Sequence, residues 1–239
     1  FAATTSRFRA DTRHRTLGCG RAATPGLWHP YAYINGGGMN LEWFRREMAN
    51  HGRSSGKATF ALLNRMAAQV QACETAPLFI PHLGGRVCPS DAHLRGAWVG
   101  LDWSHGLGHL YRAVLEGVAL EYGVYRDILA ELYPDLKLRE IRVTGGGQES
   151  SLWNQIKSAV LEMPVVQIAR SEGAPMGAAM LAGLGAGLFR SPAAVAGRWV
   201  RKGTCHRATK EMSRTYRLRL GRYEKLLELL SGYFDQKQK

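Results

Sequence analysis

Between residues 140 and 187 the chain reads as a strand, three consecutive glycines, a helix, a second strand and a second helix. This order constrains the fold more than any other feature. The run 140–144 is β-rich, and Gly145-Gly146-Gly147 breaks it. Residues 151–162 and 175–187 have helical spacing, and 164–169 returns to a strand. Strands alternating with helices belong to α/β architectures, in which each helix buries the apolar face of a sheet.

The rest of the chain extends this pattern. Thr16–Cys19 and His29–Ile34 are strand-like, with Pro25-Gly26 as the turn between them. Gly36-Gly37-Gly38 opens a helix whose apolar face holds Leu41, Phe44 and Met48, with Trp43 beside them. Residues 57–72 are predicted helical from Phe60, Leu63, Met66 and Val70. Leu78-Phe79-Ile80 is a short buried run, 81–95 a surface loop, and 97–101 a strand. The longest helical pattern runs from His105 to Leu132, with Pro134 beyond its end. The tail 207–234 reads as a basic amphipathic helix with Tyr216, Leu220, Tyr223, Leu227 and Leu230 on one side. No linker or repeat interrupts the 239 residues, so a single domain over 1–239 is expected.

No stretch of 18 apolar residues exists, which speaks against a membrane-spanning helix. Arg7, Arg9, Arg13 and Arg15 break any hydrophobic leader, and a cytoplasmic location is the expectation. Cys19, Cys73, Cys88 and Cys205 show neither C-x-x-C pairing nor zinc spacing with histidine, so free thiols are expected. The net charge of +13 gathers in Arg7–Arg21 and Arg190–Lys225. It fits an anionic ligand or nucleic acid, or a solvated helix face. No helix-turn-helix, RNP-like or zinc-finger pattern accompanies it, so nucleic acid is not favoured.

The segment Val143-Thr144-Gly145-Gly146-Gly147-Gln148-Glu149-Ser150-Ser151 carries the clearest chemistry. Glycine lets a ligand approach the main chain. The helix start behind it offers unpaired N–H groups and a positive dipole end, with Ser150 or Ser151 as N-cap. Such a corner suits a nucleotide or another anion. It matches neither G-x-G-x-x-G nor the P-loop, and a purely structural turn is the competing reading. Gly36-Gly37-Gly38 has the same ambiguity, and two such corners in one chain favour a nucleotide cleft. His105 and His109 stand at i, i+4 without a third ligand, which favours capping or interface roles over a metal. Asp102 and Glu116 have the chemistry of acid–base groups, against a default of solvated or capping carboxylates. No G-x-S-x-G elbow appears.

A longer pattern resembles a known family. Gly96-Ala97-Trp98-Val99-Gly100-Leu101, then His109-Leu110 and Ala113-Val114-Leu115-Glu116, fits the second signature of the FGGY carbohydrate kinases over about twenty residues. Ile34–Arg46, Ile141–Ile156 and Glu172–Gly187 are similar to the same family in the same order, and so is the tail with Tyr216, Tyr223 and Phe234. Xylulokinase-like members are the most similar. The resemblance implies an α/β, actin-like ATPase or ribonuclease H-like domain, the second domain of a two-domain sugar kinase.

It further implies ATP-dependent phosphorylation of a sugar hydroxyl with Mg²⁺, this chain supplying the nucleotide half. Gly38 would approach the phosphates, and Glu42 stands where a nucleotide-contacting Gln is common. Gly145 and Gly146 would pack on the adenosine, and Ser150 and Asn154 would hydrogen-bond adenine or ribose. The aspartate base and most sugar contacts belong to the family's amino-terminal domain. No residue here matches that aspartate, Asp11 included, and no metal ligands are assigned. Gly84-Gly85-Arg86 departs from the Gly-Glu-Arg of many relatives. The chain begins at Phe1, which reads as a fragment of a longer coding sequence and as inactive alone. The implied partners are ATP or ADP and the sugar held by the amino-terminal domain, and a homodimer is compatible. Two rival readings are a non-catalytic nucleotide-binding regulatory module and a basic nucleic-acid-binding protein.

Overall fold

Helix α3 (Leu107–Leu132) is the axis on which the other elements lie. Its 26 residues extend about 39 Å at 1.5 Å per residue. Apolar residues surround it on nearly every side between Tyr111 and Leu129, so it is a core helix rather than a one-sided surface helix. The computed structural model describes residues 1–50, 58–169 and 173–235.

The amino-terminal part is a small antiparallel sheet. Strand β1 (Gly18–Arg21) pairs with β2 (Trp28–Tyr31), Gly18 opposite Tyr31 and Arg21 opposite Trp28. Ala2 and Thr5 bridge to Tyr31 and Trp28 as well, so β2 lies between two neighbours. Pro25 and Gly26, the latter at φ 80°, occupy the centre of the turn, and the Leu27 amide donates to the Thr24 carbonyl at 3.2 Å. That is type II turn chemistry. The strand ends differ by one to three residues from 16–19 and 29–34, because the turn and not the apolar run sets them.

Helix α1 (Gly37–Trp43) continues without a break into a π-helical turn, Phe44–Ala49, which the apolar spacing did not foretell. Helix α2 (Phe60–Ala68) starts where the Thr59 hydroxyl accepts from the Leu62 amide. Residue 57, expected in this helix, lies outside the described residues. Strand β3 (Leu78–Ile80) is wholly buried and pairs antiparallel with β4 (Ala97–Val99). The connection 81–95 was expected at the surface, and this is corrected. Pro81, His82, Gly85, Cys88 and Leu94 are buried, because Arg86 is drawn inward to a carboxylate on α3.

The alternating segment folds as its order implies. Strand β5 (Ile141–Val143) runs parallel to β6 (Val165–Ile168), joined through a 3₁₀ turn (Gly146–Glu149) and helix α4 (Ser151–Leu161). Helices α5 (Gly173–Gly185) and α6 (Pro192–Trp199) then lead to β7 (Lys202–His206), antiparallel on β6. Glu172, at the head of the stretch similar to α5, lies outside the described residues. The reading had no element between 188 and 206, although Ser191-Pro192 is a helix start, with the Ser191 hydroxyl accepting from the Ala194 amide. Helix α7 (Lys210–Asp235) closes the chain across α3. Cys19, Cys73, Cys88 and Cys205 are free thiols. Among the described residues no helix is long and apolar enough to cross a membrane.

The α3–α7 contact is ionic as well as apolar. Tyr216, Leu220, Tyr223 and Leu227 are buried as the tail pattern implies, and so is Arg219. Arg219 donates to Glu116 Oε2 at 2.6 Å and to the carbonyls of Cys73, Ala76 and Pro77. Arg112 donates to Glu116 Oε1 at 2.7 Å, as does the Tyr216 hydroxyl at 2.6 Å. Glu116 is therefore a fully paired structural carboxylate, neither solvated nor a helix cap. A second buried acid, Glu121, accepts from Arg86 at 2.9 Å and from the Tyr223 hydroxyl at 2.8 Å. Burial opposes its ionisation, but His82, Arg86 and Tyr223 together hold its carboxyl below the ordinary value. Asp11 is likewise structural, its carboxylate accepting from the amides of His14, Thr16 and Leu17.

Close packing on α3 depends on one glycine above others. A β-carbon on Gly117 would stand 2.2 Å from the Phe79 carbonyl oxygen of β3, and backbone cannot yield there. Gly221 in α7 has open space where its β-carbon would be. Gly117→Ala is expected to destabilise the fold by about 1–3 kcal/mol. Gly221→Ala is expected to stabilise it by about 1 kcal/mol through helix propensity. Arg219→Leu strips Glu116 of one cation and three carbonyls of their donor, at an expected cost of about 3–5 kcal/mol. Urea unfolding of the three variants measures these values. A loss under about 1 kcal/mol for Arg219→Leu would show that the buried pair does not hold α7 to α3.

Candidate functional site

Two glycine corners emerge from these elements. The first is the start of α1. Gly36 caps the helix in the left-handed conformation, and Gly38 is exposed in its first turn. The corner is sewn to the loop after β3. Asn35 donates to the Gly84 carbonyl at 3.0 Å, and the buried Asn40 donates to the Pro81 carbonyl at 2.9 Å. A cleft of about 530 Å³ opens beside it, lined by Asn35, Gly36, Met39, Glu42, Arg46 and Gly84 among others. Glu42 accepts from Arg45 at 2.9 and 2.5 Å, and that bonding holds its carboxyl below the ordinary value. Glu42 thus brings a neutralised charge pair to the cleft, not a lone carboxylate.

The second corner joins β5 to α4. Gly145 has φ 82° and ψ 176°, a conformation essentially limited to glycine. Gly145 and Gly146 have open space where side chains would stand, so backbone faces outward there. The Ser150 hydroxyl accepts from the Trp153 amide at 3.2 Å and donates to Asn64 Oδ1 of α2 at 3.1 Å. It is the N-cap, and Ser151 is the first helical residue. The first-turn N–H groups of α4 point toward the corner, as they do at any helix start.

Asn154 requires a correction. It is fully buried, its amide nitrogen donating to the Gln148 carbonyl at 2.6 Å and its oxygen accepting from Lys157 at 3.4 Å. One helical turn into α4, its side chain lies beneath the corner and braces the turn instead of facing outward. Gln148 is a second brace that sequence reasoning missed. Its side-chain oxygen accepts from the Ile168 amide at 3.1 Å, and its carbonyl also accepts from Gln167 at 2.5 Å. Trp153 is a third, its indole donating to the Leu115 carbonyl at 2.9 Å while its ring lies under Gly147. The i, i+4 spacing of Trp153 and Lys157 was the available signal, since an aromatic and a cation at that spacing share a helix face.

Both corners rest on one stripe of α3. The first places Gly37 against Val118 and Tyr122, and the second anchors Trp153 at Leu115. Positions 115, 118 and 122 are separated by three and four, so they share one face within two turns. Gly38 and Glu42 at one corner, and Gly145, Gly146 and Ser150 at the other, are thereby set on a common support.

The remaining candidates are structural. Asp102 accepts from Ser104, its backbone and its hydroxyl, and those bonds hold its carboxyl below the ordinary value. His105 accepts from the Asp102 amide at 2.9 Å, and His109 accepts from the Gly106 amide at 3.2 Å. Both histidines close the turn that starts α3.

The family model for the C-terminal domain of the FGGY family of carbohydrate kinases matches residues 3–186. The xylulose kinase of Bacillus subtilis is 29% identical over 174 residues, which is 69% of this chain and 32% of that protein. The gluconokinase of the same organism is 30% identical over 223 residues, 90% of this chain and 42% of that protein. Among solved structures, xylulose kinase from Rhodospirillum rubrum superposes with a TM-score of 0.80 at 26% identity, covering 98% of this chain and 46% of that one. The chain thus spans between a third and a half of the length of these relatives. Its fold is the actin-like, ribonuclease H-like fold of these kinases, and the chain belongs to the FGGY family of carbohydrate kinases through its C-terminal domain.

Proposed function

We propose that this chain is the nucleotide-binding half of an ATP-dependent, xylulokinase-like sugar kinase. The observation that carries the reading is the Gly145–Gly147 corner, open on its outer side, braced on its inner side and set at the start of α4. Gly145 and Gly146 let adenosine approach the main chain, and Ser150 keeps one lone pair for it. Gly38 gives the phosphates a backbone approach at the α1 corner, beside the Glu42–Arg45 pair. Phosphoryl transfer needs little beyond positioning and charge stabilisation, and two backbone corners on one rigid helix supply positioning.

The sugar and the base that takes its hydroxyl proton are assigned to the amino-terminal domain of such a kinase. Among the described residues no group of three or more His, Cys, Asp or Glu side chains gathers into a metal cage. Mg²⁺ at phosphoryl-transfer sites is usually held by the phosphates and one or two carboxylates rather than by an all-protein cage. When bound, the ion would offset phosphate charge. The residues of this chain hold the nucleotide.

The nucleotide reading is tested by calorimetric titration of the 239-residue chain with ADP, beside Gly146→Arg. A β-carbon at Gly146 meets no neighbour, so the variant is expected to keep its circular dichroism spectrum and to lose at least about tenfold in affinity. Equal affinity in a folded variant would move the nucleotide away from this corner. The same chain is expected to give no detectable phosphorylation of xylulose, gluconate or glycerol in a coupled ADP-release assay. Turnover by the chain alone would contradict the division of labour proposed for the two domains.

A further inference from the structure

Lys157 is a cation in an unusual place. It lies nearly two turns into α4, below the corner, and only 6% of it is exposed. Its ammonium stands 3.9 Å from the centroid of the Trp153 ring and 3.4 Å from Asn154 Oδ1. These two side chains brace the glycine turn. Trp153 supports Gly147 so closely that a β-carbon there would sit 2.6 Å from its ring, and Asn154 ties down the Gln148 carbonyl. One buried charge therefore touches both braces.

No carboxylate neutralises it among the described residues. On α3, Glu116 and Glu121 belong to Arg112, Arg219 and Arg86. At the end of α4, Glu162 belongs to Arg217 and Arg126. On α7, Glu224 is near Asp127 and Glu228, and Tyr216 and Tyr223 bond Glu116 and Glu121. Strand β6 carries no ionisable side chain, and the 3₁₀ turn carries only the exposed Glu149. On β7, Lys202 is paired with Glu140, Cys205 is an exposed free thiol, and His206 remains. His206 is buried, with no partner for Nε2, and its imidazole is held below its ordinary value by burial and then by the Lys157 charge. Burial alone brings the Lys157 ammonium down to about 8.

We propose that Lys157 is a positioning residue for the nucleotide corner, its positive charge drawing Trp153 and Asn154 into the geometry that fixes the Gly145–Glu149 turn. This rests on the nucleotide reading above and adds a control to it, since the corner's affinity then follows the charge on Lys157. A protonated Lys157 binds the ring face and the amide oxygen, whereas a neutral amine loses the cation–π attraction and most of the pull on Asn154. The turn loosens as pH rises. The sign for stability is opposite. A lysine lowered in the folded state opposes folding fully below about pH 8, and this penalty fades as pH rises toward the unfolded value of 10.5. The charged state thus favours ligand binding and disfavours folding.

The decisive experiment uses carbon-detected NMR of the 239-residue chain. The α-carbon shifts of Gly145–Gly147 and the ring carbons of Trp153 are expected to titrate with a midpoint near pH 8. They should not titrate in Lys157→Met, or in Lys157→Arg, which stays charged. In parallel, ADP affinity is expected to weaken by about fivefold from about pH 7 to about pH 9, the equivalent of one hydrogen bond. Lys157→Arg should keep the stronger affinity at both values and Lys157→Met the weaker one. Corner shifts that do not move, or that titrate equally in Lys157→Met, would overturn the proposal, the latter assigning them to a group other than Lys157. ADP affinity that is pH-independent and equal in all three proteins would overturn it too. If the shifts titrate as expected but ADP does not bind at any pH, the nucleotide reading fails and the coupling of Lys157 to the turn stands. Should Lys157→Met fail to fold, wild type against Lys157→Arg still decides.

Discussion

The buried carboxylate of Glu116 is the interaction on which the rest of the structure depends. It lies on the central helix with both oxygens occupied, one by Arg112 and Tyr216, the other by Arg219. A charge at that depth is tolerated only when every lone pair has a partner, so the pairing dictates where α7 must lie. Glu121, five residues on, repeats the requirement with Tyr223 and Arg86. The partners advance along both helices together, from 116 to 121 on α3 and from 216 and 219 to 223 on α7. The two helices therefore run in the same sense where they touch. Sliding α7 by one turn would strip Glu116 of Arg219 and Tyr216 and Glu121 of Tyr223, leaving each buried acid with only part of its partners. Apolar packing alone, with leucines and tyrosines at helical spacing, would forbid such a slip much less strongly.

The same ions reach beyond the two helices. Arg219 satisfies the carbonyls of Cys73, Ala76 and Pro77, which lead into β3, and Arg86 pulls the loop after β3 onto α3. That loop in turn accepts from Asn35 and Asn40, which hold the α1 corner. A continuous path of hydrogen bonds and packed backbone thus runs from Glu121 to Gly36. The other corner reaches α3 directly through Trp153. Ligand-facing backbone must be bare of side chains on one side, and bare backbone is soft. Here each glycine corner is stiffened from behind by buried amides, Asn40 in one and Gln148 and Asn154 in the other.

Much of this was legible in the sequence. Residues whose surroundings are set by their own neighbours declared themselves. The Pro25-Gly26 turn, the glycine break after β5 and the Ser150 cap are local chemistry, and their structures follow from it. The apolar face of α7 was legible for the same reason, because spacing along a helix is a local property. What stayed hidden depends on distant partners. Nothing near Glu116 announces an arginine one hundred and three residues away, so the sequence could rank it only as a solvated, capping or acid–base carboxylate. The loop 81–95 has the composition of a surface segment, and part of it is buried because Arg86 finds Glu121. Asn154 has the right type and position for a ligand contact, and only the direction of its side chain removes it from the binding face.

The charge of the chain also takes its meaning from these pairings. Several acids here meet more than one basic side chain. Glu131 meets Arg13 and His14, Glu140 meets Arg142 and Lys202, and Glu162 meets Arg126 and Arg217. Glu116 and Glu121 are consumed inside. With 19 acidic and 32 basic residues, such sharing leaves few acids to balance the exposed cations, and the surface field is positive. A positive field raises the local concentration of any small polyanion without needing a groove shaped for it. For a domain whose two open corners are bare backbone at helix starts, long-range attraction by scattered cations and short-range capture by N–H groups are complementary. Under the proposed function, the first would bring a nucleotide phosphate near, and the second would hold it without a side chain that has to be reoriented. The basic excess that suggested nucleic acid in the sequence then belongs to the same binding physics as the glycines, acting at a longer range.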